Sequence, residues 1–274
     1  MSDILTERSG SILRIQLNRP EKKNAMTSNM YVTLAELLNA AAEDEQIRVV
    51  LWHGAGDSFC AGNDVVDFLE SPLTLPSPPG GEGRVRGSGE TPQARLMKAF
   101  VNFDKPLVAA VHGSAIGGGT TMLTHCDFVY AGESAKFQMP FINLGLVPEF
   151  GSSCSLPAWL GHLRASELLL LGLPFGAARA AELGLVTRVV PDPNLLATAT
   201  QTAQQLAAKP AGALQTCKRL LKRSAREQME QAMRVENEAY AVLLRSPDAR
   251  EALTAFLEKR KPDCTKSREP ATAQ

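Results

Sequence analysis

The chain has 274 residues, 44% of them hydrophobic, enough apolar material for a real core. Lysine plus arginine and aspartate plus glutamate both number 29, so the formal charge is zero. That excludes a long-range field drawing the protein to nucleic acid or an anionic membrane, and it favours self-association. The five cysteines, at 60, 126, 154, 217 and 264, are odd in number and form no CxxC pair, so they read as reduced thiols rather than disulfides or a zinc site.

The first residues, Met1-Ser2-Asp3-Ile4-Leu5-Thr6-Glu7-Arg8, are polar and acidic, unlike a secretory leader. No run approaches the ~18 apolar residues that span a bilayer. The ending Pro270-Ala271-Thr272-Ala273-Gln274 is not a peroxisomal signal, and a cytoplasmic location is the expectation. Ile12-Leu13-Arg14-Ile15-Gln16-Leu17 alternates at period two and predicts a half-buried strand. Residues 28–43 carry Met30, Leu34, Leu37, Leu38 and Ala41 at helical spacing. The run 47–53 predicts a strand that feeds a glycine turn, FCAGND at 59–64. A second such unit follows, with Pro106 to Val111 feeding GSAIGGGTT at 113–121. With further strands near 126–131 and 185–190, the alternation predicts an α/β domain over residues 1–193.

From Asn194 the pattern changes to long, strand-poor segments at 194–208, 211–223 and 225–245. Ser246 and Pro247 then supply a helix N-cap and an N1 proline, with Ala252, Phe256 and Leu257 at helical spacing. Residues 194–262 thus form a helical region, and 263–274 a tail. The tract 71–90, rich in Pro, Gly and Ser, cannot bury enough apolar area to offset its ordering entropy and reads as a disordered loop insertion.

Glycine lets backbone N–H groups approach a ligand closely. Two glycine turns in one domain can aim two backbone donors at one oxygen, as an oxyanion hole requires. Each can also be an ordinary strand-to-helix turn. Phosphate cradles fit less well: Gly113 and Gly118 are followed by Gly119 and Thr120 where a P-loop needs Lys, and Gly113-Ser114-Ala115 breaks the dinucleotide GxGxxG pattern. The four histidines show no HExxH spacing, and Gly151-Ser152-Ser153-Cys154-Ser155 matches a GxSxG elbow only up to its last position.

The two turns, with Leu17-Asn18-Arg19-Pro20-Glu21-Lys22-Lys23-Asn24-Ala25-Met26, Cys126-Asp127-Phe128-Val129-Tyr130-Ala131 and Ala255-Phe256-Leu257-Glu258-Lys259-Arg260-Lys261-Pro262, resemble the crotonase superfamily, the enoyl-CoA hydratases and isomerases, from about Ile12 to Pro262. The resemblance implies a ββα spiral core with a C-terminal helical region that serves trimer contacts and covers a neighbouring active site. A homotrimer or dimer of trimers is therefore expected. So are an acyl-CoA substrate and no metal or separate cofactor, coenzyme A being part of the substrate.

It further implies that the oxyanion hole uses the backbone N–H groups of Asn63 and Gly118, backed by the helix that Gly117 to Gly119 open. Hydratases of the family carry two water-handling glutamates; the matching positions here are Thr121 and Phe141, neither able to act as a base near neutral pH. A different acid stands in Asn143-Leu144-Gly145-Leu146-Val147-Pro148-Glu149-Phe150-Gly151, where the Δ3,Δ2-enoyl-CoA isomerase branch carries its single catalytic glutamate. Its apolar neighbours, Phe141 and Leu144 foremost, are expected to desolvate Glu149, raise its pKa and line the acyl site.

Substrate contacts are further expected from Lys22, Lys23, Ala25, Ala61, Phe256 and Lys259. Asp64, beside the hole, is a candidate for the same site and for capping the helix that follows. Another crotonase activity (hydration or thioester hydrolysis) and a non-catalytic acyl-CoA-binding subunit remain the alternatives.

Overall fold

The computed structural model describes residues 2–70 and 90–263. The proposed insertion therefore lies, except for Glu90, outside the described residues, as do Cys264 and the rest of the tail.

The chain opens with β1 (Ile4–Ser9) and β2 (Ile12–Leu17), an antiparallel hairpin. Only Ile4 of β1 is buried, because β1 is the sheet edge; its polar sequence hid it from a hydrophobic-pattern reading. Then come α1 (Ser28–Glu43), β3 (Val49–Gly54), α2 (Val65–Glu70), α3 (Pro92–Asn102) and β4 (Leu107–Val111). Thr27 and Thr91 cap α1 and α3 by accepting the N–H groups of Met30 and Ala94.

From β4 onward the chain winds as a spiral between two sheets. β4 lies in the large sheet, β5 (Ser114–Ile116) in a small one, and the short α4 (Gly118–Thr121) follows. β6 (Phe128–Gly132) returns to the large sheet and β7 (Lys136–Gln138) to the small one, followed by α5 (Ser152–Leu160) and α6 (His162–Leu171). β8 (Phe175–Gly176), α7 (Ala177–Glu182) and β9 (Arg188–Val190) complete the last turn. The large sheet runs β1-β2-β3-β4-β6-β9, parallel after its first hairpin, and the small sheet runs β5-β7-β8. This is the ββα spiral expected.

Both faces of the large sheet are covered, so its central strands are apolar throughout rather than alternating. On β3, Val50 and Trp52 face α1 and α3, meeting Leu34, Leu38 and Phe100. Val49 and Leu51 face the other way, with Val108 and Ala110, toward Leu195, Ala199 and Ala203 of α8 (Leu195–Ala207). Each such large side chain contributes roughly 1.5–3 kcal/mol through burial. Beyond α8 lie α9 (Ala211–Arg223), α10 (Arg226–Leu243) and α11 (Pro247–Leu257), whose N-cap Ser246 accepts the Ala249 N–H at 3.1 Å. Among the described residues no helix is long and apolar enough to cross a membrane.

Candidate active site

The two glycine turns lie side by side. Cys60 N–H donates to Ser114 O and Ile116 N–H donates to Cys60 O, so the first turn extends the small sheet beyond β5. A Cβ on Gly62 would sit 2.8 Å from Ile116 O, and one on Gly119 would sit 2.4 Å from Cys60 O. With φ +87 at Gly62 as well, this packing accepts glycine only.

Asn63 forms a parallel bridge with Met26, whose N–H bonds Gly62 O and whose carbonyl accepts the Asp64 N–H. In such a bridge the central residue turns its own N–H away from its partner. Asn63 itself lines the cavity. Gly118 opens α4, where the first N–H groups have no intrahelical acceptor, and it lines the same cavity. One expectation needs correcting. The helix behind the second turn is only Gly118–Thr121, running into a 3-10 turn at Met122–His125. Its four residues sum few peptide dipoles, so the local N–H group, not a long helix, supplies the positive potential.

The cavity measures about 570 Å³. Its walls are largely apolar, with Ile116, Phe141, Leu144, Leu146 and Leu253 among them, and Glu149 and Asp64 are its carboxylates. Glu149 is 4% exposed, and its Oε1 is buried without a hydrogen-bond partner among the described residues. A Cβ on Gly118 would lie 2.8 Å from that oxygen and 3.3 Å from the Tyr31 hydroxyl. The carboxyl, the hydroxyl and the second glycine turn therefore converge on one spot. Burial, with the nearby Glu236 charge second, pushes the Glu149 carboxyl up to about 8.

The segment that carries Glu149 is held residue by residue. Ser152 Oγ donates to Glu149 O at 2.7 Å. His125 Nε2 bonds Phe150 O at 2.9 Å; burial lowers this imidazole to about 4, so the neutral ring carries its proton on Nε2. Phe150 and Gly151 both take left-handed φ angles, +61 and +69. For Phe150 that conformation costs roughly 1–2 kcal/mol. Phe150, fully buried, stacks at 6.4 Å on Tyr31 and meets Phe100 edge-on at 6.3 Å, packing that offsets the strain.

Tyr31 also donates its hydroxyl to Asn63 Oδ1 at 2.5 Å. Tyr240 hydrogen-bonds the same side chain, and burial raises both phenols well above their ordinary range, leaving them donors. The carboxamide that follows Gly62 is thus clamped from α1 and α10. Neither tyrosine stood out in sequence, because each reads as one more apolar position on a helix.

Of the other candidates, Lys22, Ala25, Ala61, Asp64, Phe141, Leu144 and Phe256 all line the cavity. Lys23 and Lys259 lie outside that lining. Lys23 sits at φ +50 at the end of a 3-10 turn, and its carbonyl accepts the Ala61 N–H. Asp64 accepts from Arg19 at 3.0 Å and from the N–H groups of Val66 and Asp67, which caps α2. Partial burial pushes its carboxyl up, but these donors outweigh that and hold it below its usual range. Thr121 is buried, its hydroxyl turned to Gly117 O, and Cys60 is a buried thiol pushed up to about 12, no nucleophile near neutral pH. Among the described residues no group of three or more His, Cys, Asp or Glu could hold a metal ion.

Two glycine turns bring Asn63 and Gly118 to one largely apolar cavity with a buried acid beside Gly118; such a lining suits the class of enzyme that stabilises an enolate formed next to a carbonyl. The chain belongs to the enoyl-CoA hydratase/isomerase family, whose pattern matches residues 7–267, and so to the crotonase superfamily of enzymes acting on CoA thioesters. It is 37% identical over 265 residues to the 1,2-epoxyphenylacetyl-CoA isomerase of Escherichia coli K12, covering 97% of this chain and 99% of the relative. It is 33% identical to the 2,3-dehydroadipyl-CoA hydratase of the same organism, covering 96% and 98%. The crystal structure of an enoyl-CoA hydratase/isomerase from Pseudoalteromonas atlantica T6c superposes with a TM-score of 0.86 at 38% identity, covering 96% of this chain and 99% of that one.

Proposed function

We propose that the protein is a Δ3,Δ2-enoyl-CoA isomerase. An isomerase and a hydratase resemble this chain almost equally, so the choice rests on the residues in the cavity. The observation that carries it is the state of Glu149, buried, without a partner on Oε1 and beside Gly118. The water-handling positions of the family's hydratases, by contrast, hold Thr121 and Phe141.

Glu149, ionised, removes a proton from C2 of a 3-enoyl-CoA. The charge moves onto the thioester oxygen, and the N–H groups of Asn63 and Gly118 stabilise the dienolate. The protonated carboxyl then returns the proton to C4, giving the trans-2-enoyl-CoA. Both steps need a group that holds and releases a proton near neutral pH, and a carboxyl pushed up to about 8 meets that requirement. The apolar walls keep water from the dienolate. No further cofactor enters, since coenzyme A is part of the substrate.

The test supplies a 3-enoyl-CoA and a 2-enoyl-CoA separately to the wild type and to Glu149→Gln. Isomerisation is expected, falling ~10²–10⁴-fold in the variant, with little hydration. Rapid hydration untouched by Glu149→Gln would overturn the isomerase reading. Tight acyl-CoA binding with no turnover would replace it with a binding subunit.

A further inference from the structure

A second buried carboxylate stands behind the first. Glu236, on α10, is 5% exposed, yet it lies outside the cavity lining. Its Oε2 accepts the Gly151 N–H at 2.7 Å and its Oε1 accepts the Ser153 N–H at 2.8 Å. It thereby grips both sides of the N-terminus of α5, two residues after Glu149. A side chain 85 positions beyond Gly151 thus caps the strained turn that carries the cavity's acid.

We propose that Glu236 is a positioning residue, which clamps the Glu149 turn and keeps a fixed negative charge beside the Glu149 carboxyl. This inference rests on the reading of Glu149 as the acid and base. The two carboxyls differ in their donors. Glu236 receives two backbone N–H groups at a helix N-terminus, both of which favour the ionised form. Among the described residues, Glu149 Oε1 receives none. Burial pushes the Glu236 carboxyl up as well, but its donors pull against that rise, so Glu149 holds its proton to the higher pH and Glu236 carries the charge.

Among the described residues, the other titratable groups that face Glu149 are Tyr31 from α1, Cys60 from the first glycine turn and Tyr240 from α10. All three are uncharged near neutral pH, as is His125 behind the turn. Glu236 is accordingly the charge that Glu149 feels, in line with its place among the causes that push Glu149 up. The arrangement makes one helix cap serve two ends: it fixes the turn that carries Glu149, and its charge makes the ionised Glu149 a stronger base.

The experiment is a carbon-13 NMR titration of the full chain labelled at glutamate Cδ, with the Glu149 and Glu236 signals assigned from Glu149→Gln and Glu236→Gln. In the wild type Glu236 is expected to ionise at lower pH than Glu149; the reverse order overturns the proposal, and this arm needs no variant to be stable. In Glu236→Gln the Glu149 midpoint is expected to fall by about one pH unit, and the acidic limb of kcat/KM to move with it. Glu236→Asp, which retains the charge, is expected to keep the midpoint near that of the wild type. An unmoved midpoint in folded Glu236→Gln would overturn the proposal. The titration uses no substrate, so a shifted midpoint in a protein without isomerase turnover would remove the function proposed above and leave this coupling standing.

Discussion

Two carboxylates line the same cavity, each beside a glycine turn, and they live in opposite surroundings. Asp64 has Arg19 and two backbone N–H groups, and these hold its carboxyl below the usual range. Glu149 has no donor on Oε1 among the described residues, and burial drives it up to about 8. The same functional group becomes an anchor where its charge is served and a proton carrier where it is starved. The difference is set by neighbours: Arg19 comes from the loop after β2, whereas Glu149 shares its stretch of cavity with Phe141, Leu144 and Leu146.

The largest effect expected from this contrast is on catalysis. Glu149→Gln lowers isomerase kcat ~10²–10⁴-fold, while Asp64→Asn lowers it far less and shows mainly in thermal stability; equal losses of kcat would erase the distinction. Next comes the hole. In Gly118→Ala the added Cβ would press against Glu149 Oε1 at 2.8 Å, so a loss of roughly 10²-fold in kcat is expected from steady-state assays.

The third prediction concerns pH and stability. The Glu149 carboxyl is held at about 8 in the fold against an ordinary 4.5, so between those values the folded chain keeps a proton that the unfolded chain releases. Stability therefore falls as pH rises through that window. Melting curves of Glu149→Gln against the wild type are expected to diverge in favour of the variant from about pH 5 to about pH 8, by on the order of a few kcal/mol. Asp64 has the opposite sign: its contribution is present above about pH 4 and is lost as pH falls below it, so Asp64→Asn flattens the acid side of the stability profile. The smallest effect is that of Tyr31→Phe, which removes one hydrogen bond to Asn63 and costs about 1 kcal/mol, seen as roughly a fivefold fall in kcat with KM little changed.

Much of this was legible before any coordinates. Met30, Leu34, Leu38 and Ala41 mark α1, because one face of that helix is buried against the large sheet. The two glycine segments were legible because backbone packed against backbone tolerates no other residue. Glu149 was legible only through its place in a family pattern; by composition it is one loop glutamate among apolar residues. The remainder depends on tertiary contact. β5, β7 and β8 are too short to show a period, and α4 looked longer than its four residues because Met122 and Leu123 continue the apolar run in a 3-10 turn. Tyr31, Tyr240 and Glu236 reach the site from α1 and α10, and no local signal distinguishes them from ordinary helix positions.

The central claim is that one carboxyl both takes and returns the proton. A 3-enoyl-CoA carrying deuterium at C2, followed through a single turnover by mass spectrometry and NMR, tests it most directly. Deuterium delivered to C4 of the 2-enoyl product, and lost together with turnover in Glu149→Gln, is the result expected. A product whose C4 hydrogen comes wholly from solvent, formed as fast by Glu149→Gln as by the wild type, would contradict the account.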